Sequence, residues 1–312
     1  MTWLVEQRGE HPAGALRRLL DEGGTVVAPG AVDGLQALLA RQAGARCCYL
    51  SGAGLSATLG LPDVGLLGLA DVVGATRTVV RAAGLPVIVD ADTGFGEALN
   101  VVRAVAELEE AGAAAIQVED QASPKRCGHL EGKALVPADQ MAEKVAAAAS
   151  GRHRLVVVAR TDAAAVEGVD AAIDRARRYA QAGADVIFPE ALTSEADLAR
   201  VAGALDVPLV ANLTEFGRTP LLGAGRLGEL GYRVVIFPVS ALRVAARAMG
   251  ELYASLMARG TQEGFVESMQ PRAELYDLLR YGDYSALDGS LARGRPLARD
   301  PAAEDGAAGG PP

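Results

Sequence analysis

Residues 86–120 read PVIVDADTGFGEALNVVRAVAELEEAGAAAIQVED. A β-branched run ends in Asp90 and Asp92, an amphipathic Ala/Leu/Val/Arg/Glu stretch follows, and a second apolar run ends in Glu119 and Asp120. Gly112 stands where a left-handed helix C-cap belongs. The unit is strand, helix, strand, and a helical crossover between two strands of one sheet makes them parallel.

The same rhythm runs through the chain. Short apolar runs occur at TVVAPG (25–30), CCYLSG (47–52), PVIVDAD (86–92), AAIQVED (114–120), LVVVART (155–161), DVIFPEA (185–191), PLVANLT (208–214) and RVVIFPV (233–239). Strands with little internal polarity, alternating with helices, form a parallel sheet covered on its outer face. Eight units in about 220 residues fit a closed α/β barrel, (β/α)8, better than an open doubly wound sheet. Residues 1–294 are expected to form one barrel domain with C-terminal helices. From residue 295 the sequence RPLARDPAAEDGAAGGPP loses apolar periodicity, so 295–312 are expected to be a flexible tail.

Composition excludes several classes. The 312 residues are 50% hydrophobic with a net charge of -9, which argues against a nucleic-acid binder. There is no basic leader before an apolar core and no run approaching ~18 uninterrupted apolar residues, so no membrane association and a cytoplasmic location are expected. Cys47 and Cys48 lie in the apolar run ARCCYL and read as buried structural residues.

Barrel enzymes assemble their sites from the C-terminal ends of the strands. Those ends are polar here: Ser51, Asp90, Asp92, Glu119, Asp120, Arg160, Asp162, Glu190, Asn212, Thr214 and Ser240. Asp90 and Asp92 are two apart, so an extended backbone turns both to one side. With Glu119 they make an oxygen-rich cluster suited to a hard divalent cation such as Mg²⁺. Zinc suits the chain less, because Cys127 and His129 have no second spaced Cys/His pair. The stretch KRCGH, Lys125 to His129, gathers a thiol and two cations. Neighbouring cations favour a thiolate, which suits proton transfer or nucleophilic chemistry on an anionic substrate. A surface loop whose cations hold acidic neighbours is the competing reading.

VDADTGFG, QVEDQASPKRCGH, ARTDA, FPEA, ANLTEFG and MQPRAELY resemble, in order and spacing, motifs of the isocitrate lyase and phosphoenolpyruvate mutase superfamily, closest to its 2-methylisocitrate lyases. The resemblance covers about Val26 to Leu291. It implies a barrel whose last helix is exchanged between subunits, a homotetramer, and cleavage of a tricarboxylate, 2-methylisocitrate, to pyruvate and succinate in propionate breakdown. It also implies Mg²⁺, with Mn²⁺ as a substitute, held by Asp90 directly and by Asp92 and Glu119 through waters. Ser51, Gly52 and Ala53 would then offer hydroxyl and N–H groups to a substrate carboxylate beside Arg160. Cys127 would deliver a proton to carbon from a mobile lid, Gly128 and His129 would shape that lid, and Lys125 and Arg126 would hold the succinate half. Glu190, Asn212, Thr214, Arg243 and Arg272 fall on further carboxylate contacts, and Tyr49 is the candidate base for the hydroxyl proton. Phe188, Ile236 and Pro238 match the pocket for the methyl group.

Two departures stand out: Ala53 replaces a common Gly, and Pro271 precedes Arg272 where Thr is common. An isocitrate lyase ranks second, since the chain is shorter than typical isocitrate lyases. A phosphonopyruvate or oxo-acid enzyme of the same superfamily ranks third, and a non-catalytic dicarboxylate sensor last.

Overall fold

The computed structural model describes residues 10–130 and 132–293. The expected tail, 295–312, lies outside the described residues. All eight expected strands form: β1 (Val26–Pro29), β2 (Cys48–Leu50), β3 (Val87–Asp90), β4 (Ala115–Glu119), β5 (Val156–Thr161), β6 (Val186–Pro189), β7 (Leu209–Asn212) and β8 (Tyr232–Phe237). They run in the order β1-β8-β7-β6-β5-β4-β3-β2, each pair parallel. A bridge from Gly30 to Tyr49, with Ala31 N–H donating to the Tyr49 carbonyl at 2.9 Å, brings β1 against β2 and closes the barrel. Position 30 must be glycine, because a Cβ there would collide with the Pro238 carbonyl.

Alternation along each strand divides the core in two. Val156 and Val158, Val186 and Phe188, and Val234 and Ile236 point into the barrel. The residues between them, Val157, Ile187 and Val235, pack against the helices. Leu16, Leu19 and Leu20 of the helix Pro12–Asp21 join the interior cluster and plug the N-terminal end.

The helices show the complementary period. In Ala98–Glu110 the buried residues are Val101, Ala104, Val105 and Leu108, one stripe at helical spacing. Burying one Val or Leu side chain fully contributes roughly 1.5–3 kcal/mol. The stripe ends where Gly112 adopts φ 95°. The helix Ser240–Arg259 departs from this pattern, for none of its 20 residues is buried.

The described residues fall into two compact units, 10–265 and 266–293. The second contains the helices Arg272–Leu278 and Tyr281–Ala292, with the rings of Tyr276 and Tyr281 stacked 4.9 Å apart. Among the described residues, no helix is long and apolar enough to cross a membrane.

Candidate active site

The polar strand ends continue the interior layers upward, and a chain of hydrogen bonds links the first of them. Tyr49 O–H donates to Gln117 Oε1 (2.7 Å), Gln117 Nε2 donates to Asp90 Oδ1 (3.1 Å), and Gly52 N–H donates to Asp90 Oδ2 (3.1 Å). Gly52 N–H, expected to meet a substrate carboxylate, is therefore engaged by Asp90. The phenol of Tyr49 is a donor, and burial, followed by the charge of Asp90, pushes it well above the usual tyrosine range. The phenol expected to act as the base is thus engaged as a donor to Gln117. Gln117 was not foreseen, although a lone amide inside the apolar run AAIQVE was a visible signal.

Asp90 and Asp92 share a side for a different reason from the one expected. The strand stops at Asp90, and Asp92 takes φ 49°, in the left-handed region. Its N–H lies 3.3 Å from Asp90 Oδ1, and Gly94 N–H donates to the Ala91 carbonyl to close the turn. Holding a non-glycine residue there costs of order 1–3 kcal/mol. Both carboxylates end beside Gly52, where a Cβ would lie 3.1 Å from Asp92 Oδ1 and 3.2 Å from Asp90 Oδ2.

Glu119 completes the cluster. Its Oε2 is 3.3 Å from Arg160 Nη1, while its buried Oε1 has no hydrogen-bond partner. Burial, outweighing Arg160, pushes the Glu119 carboxyl well above the usual range. Burial and then the Asp90 charge push Asp92 up to about 6, against the pull of Lys125. Asp92 Oδ1 is 2.7 Å from Lys125 Nζ but makes no well-aligned hydrogen bond. Among the described residues, no three His, Cys, Asp or Glu side chains converge into a ready-made cation cage. An all-oxygen donor set with an orphaned Oε1 on Glu119, beside a glycine that lets both aspartates approach the backbone, fits an ion that keeps several waters and takes few protein ligands directly.

The connection from β4 to the helix Ala138–Gly151 carries Cys127 over this cluster. Lys125 is buried between Asp92 and Asp63, a partner the sequence reading missed. Its burial would lower the ammonium pKa, but Glu119, Asp90, Asp92 and Asp63 outweigh that and raise it. Gln121 brackets Arg126 by accepting its N–H and donating to its carbonyl, both at 2.9 Å. Gly128 lies so close to the barrel that a Cβ would sit 2.7 Å from Glu190 Cγ. His129 Nδ1 accepts from Arg218 N–H (3.0 Å), and its Nε2 lies 3.3 Å from both Glu190 Oε1 and Asn212 Nδ2. Burial lowers the His129 pKa, so the ring is neutral, with the proton on Nε2 toward Glu190.

These groups enclose a cavity of about 90 Å³. Phe188, Ile236 and Pro238 form its apolar wall, and Cys127, Gly128 and His129 its cover. Tyr49, Asp90, Lys125, Arg160, Glu190 and Asn212 supply the polar lining, while Ser51, Ala53, Arg126, Thr214 and Arg243 also line it. Ser51 Oγ caps a helix by accepting from Gly54 N–H (3.2 Å). Arg243 lies 3.7 Å from Glu215 Oε2 and over the ring of Phe216. Arg160 grips Asp162 with two hydrogen bonds, 3.0 and 3.1 Å, and sits 5.2 Å from the Phe188 ring centroid. Burial would weaken its charge, but Asp162, Glu119 and Glu190 keep it protonated. Arg272 belongs to the 266–293 unit, at the start of the helix Arg272–Leu278.

Residues 16–257 match the phosphoenolpyruvate phosphomutase family. The chain belongs to the phosphoenolpyruvate mutase/isocitrate lyase superfamily. Within this superfamily it is 46% identical over 293 residues to 2-methylisocitrate lyase of Aeropyrum pernix, covering 94% of this chain and 95% of the relative. It is 47% identical over 295 residues to 2-methylisocitrate lyase of Bacillus subtilis, covering 94% and 98%. The crystal structure of 2,3-dimethylmalate lyase, a superfamily member, aligns with TM-score 0.85 at 35% identity, over 91% of this chain and 96% of that one. Phosphonopyruvate hydrolase, solved with oxalate and Mg²⁺, aligns with TM-score 0.81 at 30% identity, over 90% and 99%.

Proposed function

We propose that this protein is a carbon–carbon lyase that cleaves 2-methylisocitrate to pyruvate and succinate, with Mg²⁺ at the Asp90/Asp92/Glu119 cluster. The observation that carries the reading is one covered cavity lined together by Asp90 of the acid cluster, the Cys127 segment and the apolar wall of Phe188, Ile236 and Pro238. Extensive identity to 2-methylisocitrate lyases supports the choice of substrate.

Cleavage removes the hydroxyl proton, breaks the bond between the hydroxyl-bearing carbon and its neighbour, and leaves an enolate-like succinate half that must be protonated at carbon. Asp90, Asp92 and Glu119 would hold the Mg²⁺, which when bound would supply positive charge to offset the charge that develops on the pyruvate-forming half. Tyr49 holds Gln117, and Gln117 holds Asp90, so the phenol orients the cluster. Ser51 and Ala53 at the rim meet the carboxylate of the same half. We assign the hydroxyl proton to Glu190, a cavity carboxylate that belongs neither to the acid cluster nor to the Lys125 pair. Glu190→Gln then lowers kcat by ~10²-fold or more, whereas Tyr49→Phe costs about tenfold or less. The opposite ranking returns the base role to Tyr49.

Cys127 delivers the proton to carbon. The thiol balances the reaction by giving its hydrogen to the succinate half and recovering one from solvent after opening. A cavity of about 90 Å³ is well below the ~300 Å³ of ordinary ligand pockets, so substrate enters when the Cys127 segment swings away. Asn212, Thr214 and Arg243 are proposed to hold the remaining carboxylates, and Lys125 and Arg126 the succinate half. One methyl in the wall of Phe188, Ile236 and Pro238 gives finite preference, ~1–3 kcal/mol over isocitrate.

A cytoplasmic homotetramer with an exchanged helix completes the reading. Met249, Tyr253 and Met257 recur every four residues on one face of Ser240–Arg259 and are 44%, 60% and 87% exposed. On the barrel, a groove of about 430 Å³ runs along Val27, Pro29, Ala40 and Ala43, and Val27 of β1 is 45% exposed. A second copy's helix would cover both apolar faces. A mass measurement showing a stable monomer would remove this part.

The deciding assay supplies purified protein and Mg²⁺ with 2-methylisocitrate and isocitrate separately and identifies the oxo-acid released. Pyruvate from the methylated substrate at higher kcat/KM supports the proposal. Faster release of glyoxylate from isocitrate makes the protein an isocitrate lyase, and inactivity on both overturns the substrate class.

A further inference from the structure

The connection that carries Cys127 also carries Lys133, whose side chain folds back beneath it. Lys133 is only 2% exposed; its ammonium donates to Asp162 Oδ1 (3.1 Å) and to the Gly128 carbonyl. Asp162 is wholly buried and holds Arg160 through two hydrogen bonds. Gly128 runs against this pair, since a Cβ there would lie 3.1 Å from Asp162 Oδ1.

Asp162 is fixed from behind. Its N–H donates to Asp120 Oδ1 (2.9 Å), and Asp120 Oδ2 accepts from Thr161 (2.7 Å), Tyr179 (2.9 Å) and Arg175 (3.3 Å). Arg175 also donates to the Val136 carbonyl (2.9 Å), at the far end of the same connection. Lys133 therefore joins a rigid wall of the barrel to the backbone one residue after Cys127.

We propose that Lys133 is a positioning residue: by bridging the Gly128 carbonyl to Asp162 it latches the Cys127 segment over the cavity and couples that closure to the orientation of Arg160. Three features make it suited to the task. An ammonium has three donors, enough for a carbonyl and a carboxylate together. Both acceptors are buried, so water does not replace the contact cheaply. Removing the lysine leaves Asp162 paired with Arg160, so the barrel wall stays intact while the loop loses its fastening.

The latch rests on the lyase reading only for its kinetic consequence, and thiol reactivity tests it separately. Cys47 and Cys48 are fully buried and Cys127 is partly exposed, so alkylation of the native full-length protein by iodoacetamide reports the Cys127 segment. Lys133→Met, which keeps the apolar stem, should raise the alkylation rate at least about tenfold, a modest result for breaking a buried charged contact. Lys133→Arg should stay within about threefold of wild type, because a charged donor still reaches Asp162. With 2-methylisocitrate, Lys133→Met should lower kcat at least about tenfold and change KM less, since closure rather than first binding is lost.

Wild-type alkylation in Lys133→Met overturns the latch. If that variant also labels Cys47 and Cys48, Lys133→Gln, which keeps a donor for the Gly128 carbonyl, takes its place. Its alkylation rate should rise above wild type, and an unchanged rate overturns the proposal equally. Faster labelling in a protein that never turns over 2-methylisocitrate upholds the latch and removes the lyase reading.

Discussion

The two ends of the barrel treat their charged side chains in opposite ways. At the N-terminal end, Asp185 accepts from Val157 N–H (2.8 Å), from Arg17 (3.0 Å) and from Arg152, next to the apolar plug of Leu16, Leu19 and Leu20. At the C-terminal end, Glu119 Oε1, Asp92 Oδ1, Asn212 Oδ1 and Glu215 Oε2 are buried without a hydrogen bond. Even adjacent residues divide this way. Asp120 is satisfied by Thr161, Tyr179, Arg175 and the Asp162 N–H, whereas Glu119 keeps an empty acceptor. An unsatisfied buried polar atom costs about 1–3 kcal/mol. The mouth is thus less stable than the same barrel could be, and that deficit marks where a ligand is to be met.

If the contrast is real, variants at the mouth change rate and variants at the plugged end change stability. The largest effect is expected from Cys127→Ser, with kcat lowered ~10²–10⁴-fold in steady-state assays and substrate affinity by calorimetry little changed. Glu119→Gln should weaken Mg²⁺ binding about 10–100-fold in a metal titration. The same variant without metal should melt no lower than wild type, because a carboxyl pushed up by burial is replaced by a neutral group. Asp185→Ala should lower unfolding free energy by about 1–3 kcal/mol, through the orphaned Val157 N–H, and leave kcat as it was. A loss of activity at Asp185 without a loss of stability would break the comparison.

The smallest effect concerns pH. Burial lowers His129 below its usual 6.5, so the unfolded chain binds the proton more readily. The contribution of neutral His129 is complete above about 6.5 and is lost as pH falls through that value toward the folded pKa. Melting temperatures at pH 7.5 and 5 should therefore diverge less in His129→Asn than in wild type.

The barrel was legible because its signal is local. The run AAIQVED, expected over 114–120, forms a strand at Ala115–Glu119, and LVVVART, expected over 155–161, forms one at Val156–Thr161. Asp90, Glu119, Arg160 and Glu190 were legible as candidates because they follow apolar runs, where barrel sites lie. Cys127 stood out by the company of Lys125 and Arg126. The substrate came from resemblance, since no periodicity encodes a methyl group.

What stayed hidden was pairing across the fold. Asp63 meets Lys125 from 62 positions away, and Lys133 meets Asp162 across 29. Neither partner carries a local mark of its role. Asp92 shows a subtler limit, for the alternation rule placed it correctly beside Asp90 while the backbone arrives there through a left-handed turn. The link from Tyr49 to its acceptor Gln117, 68 residues distant, was hidden in the same way.

The most direct test of the account is cleavage of 2-methylisocitrate with Mg²⁺ in D₂O, with deuterium in the released succinate counted by NMR for wild type and Cys127→Ser. Wild type should place one deuteron at carbon per succinate, added to a single face, and turnover should be largely abolished in the variant. Rapid turnover by Cys127→Ser with the same single-face labelling would contradict it, because the proton would then reach carbon without the thiol.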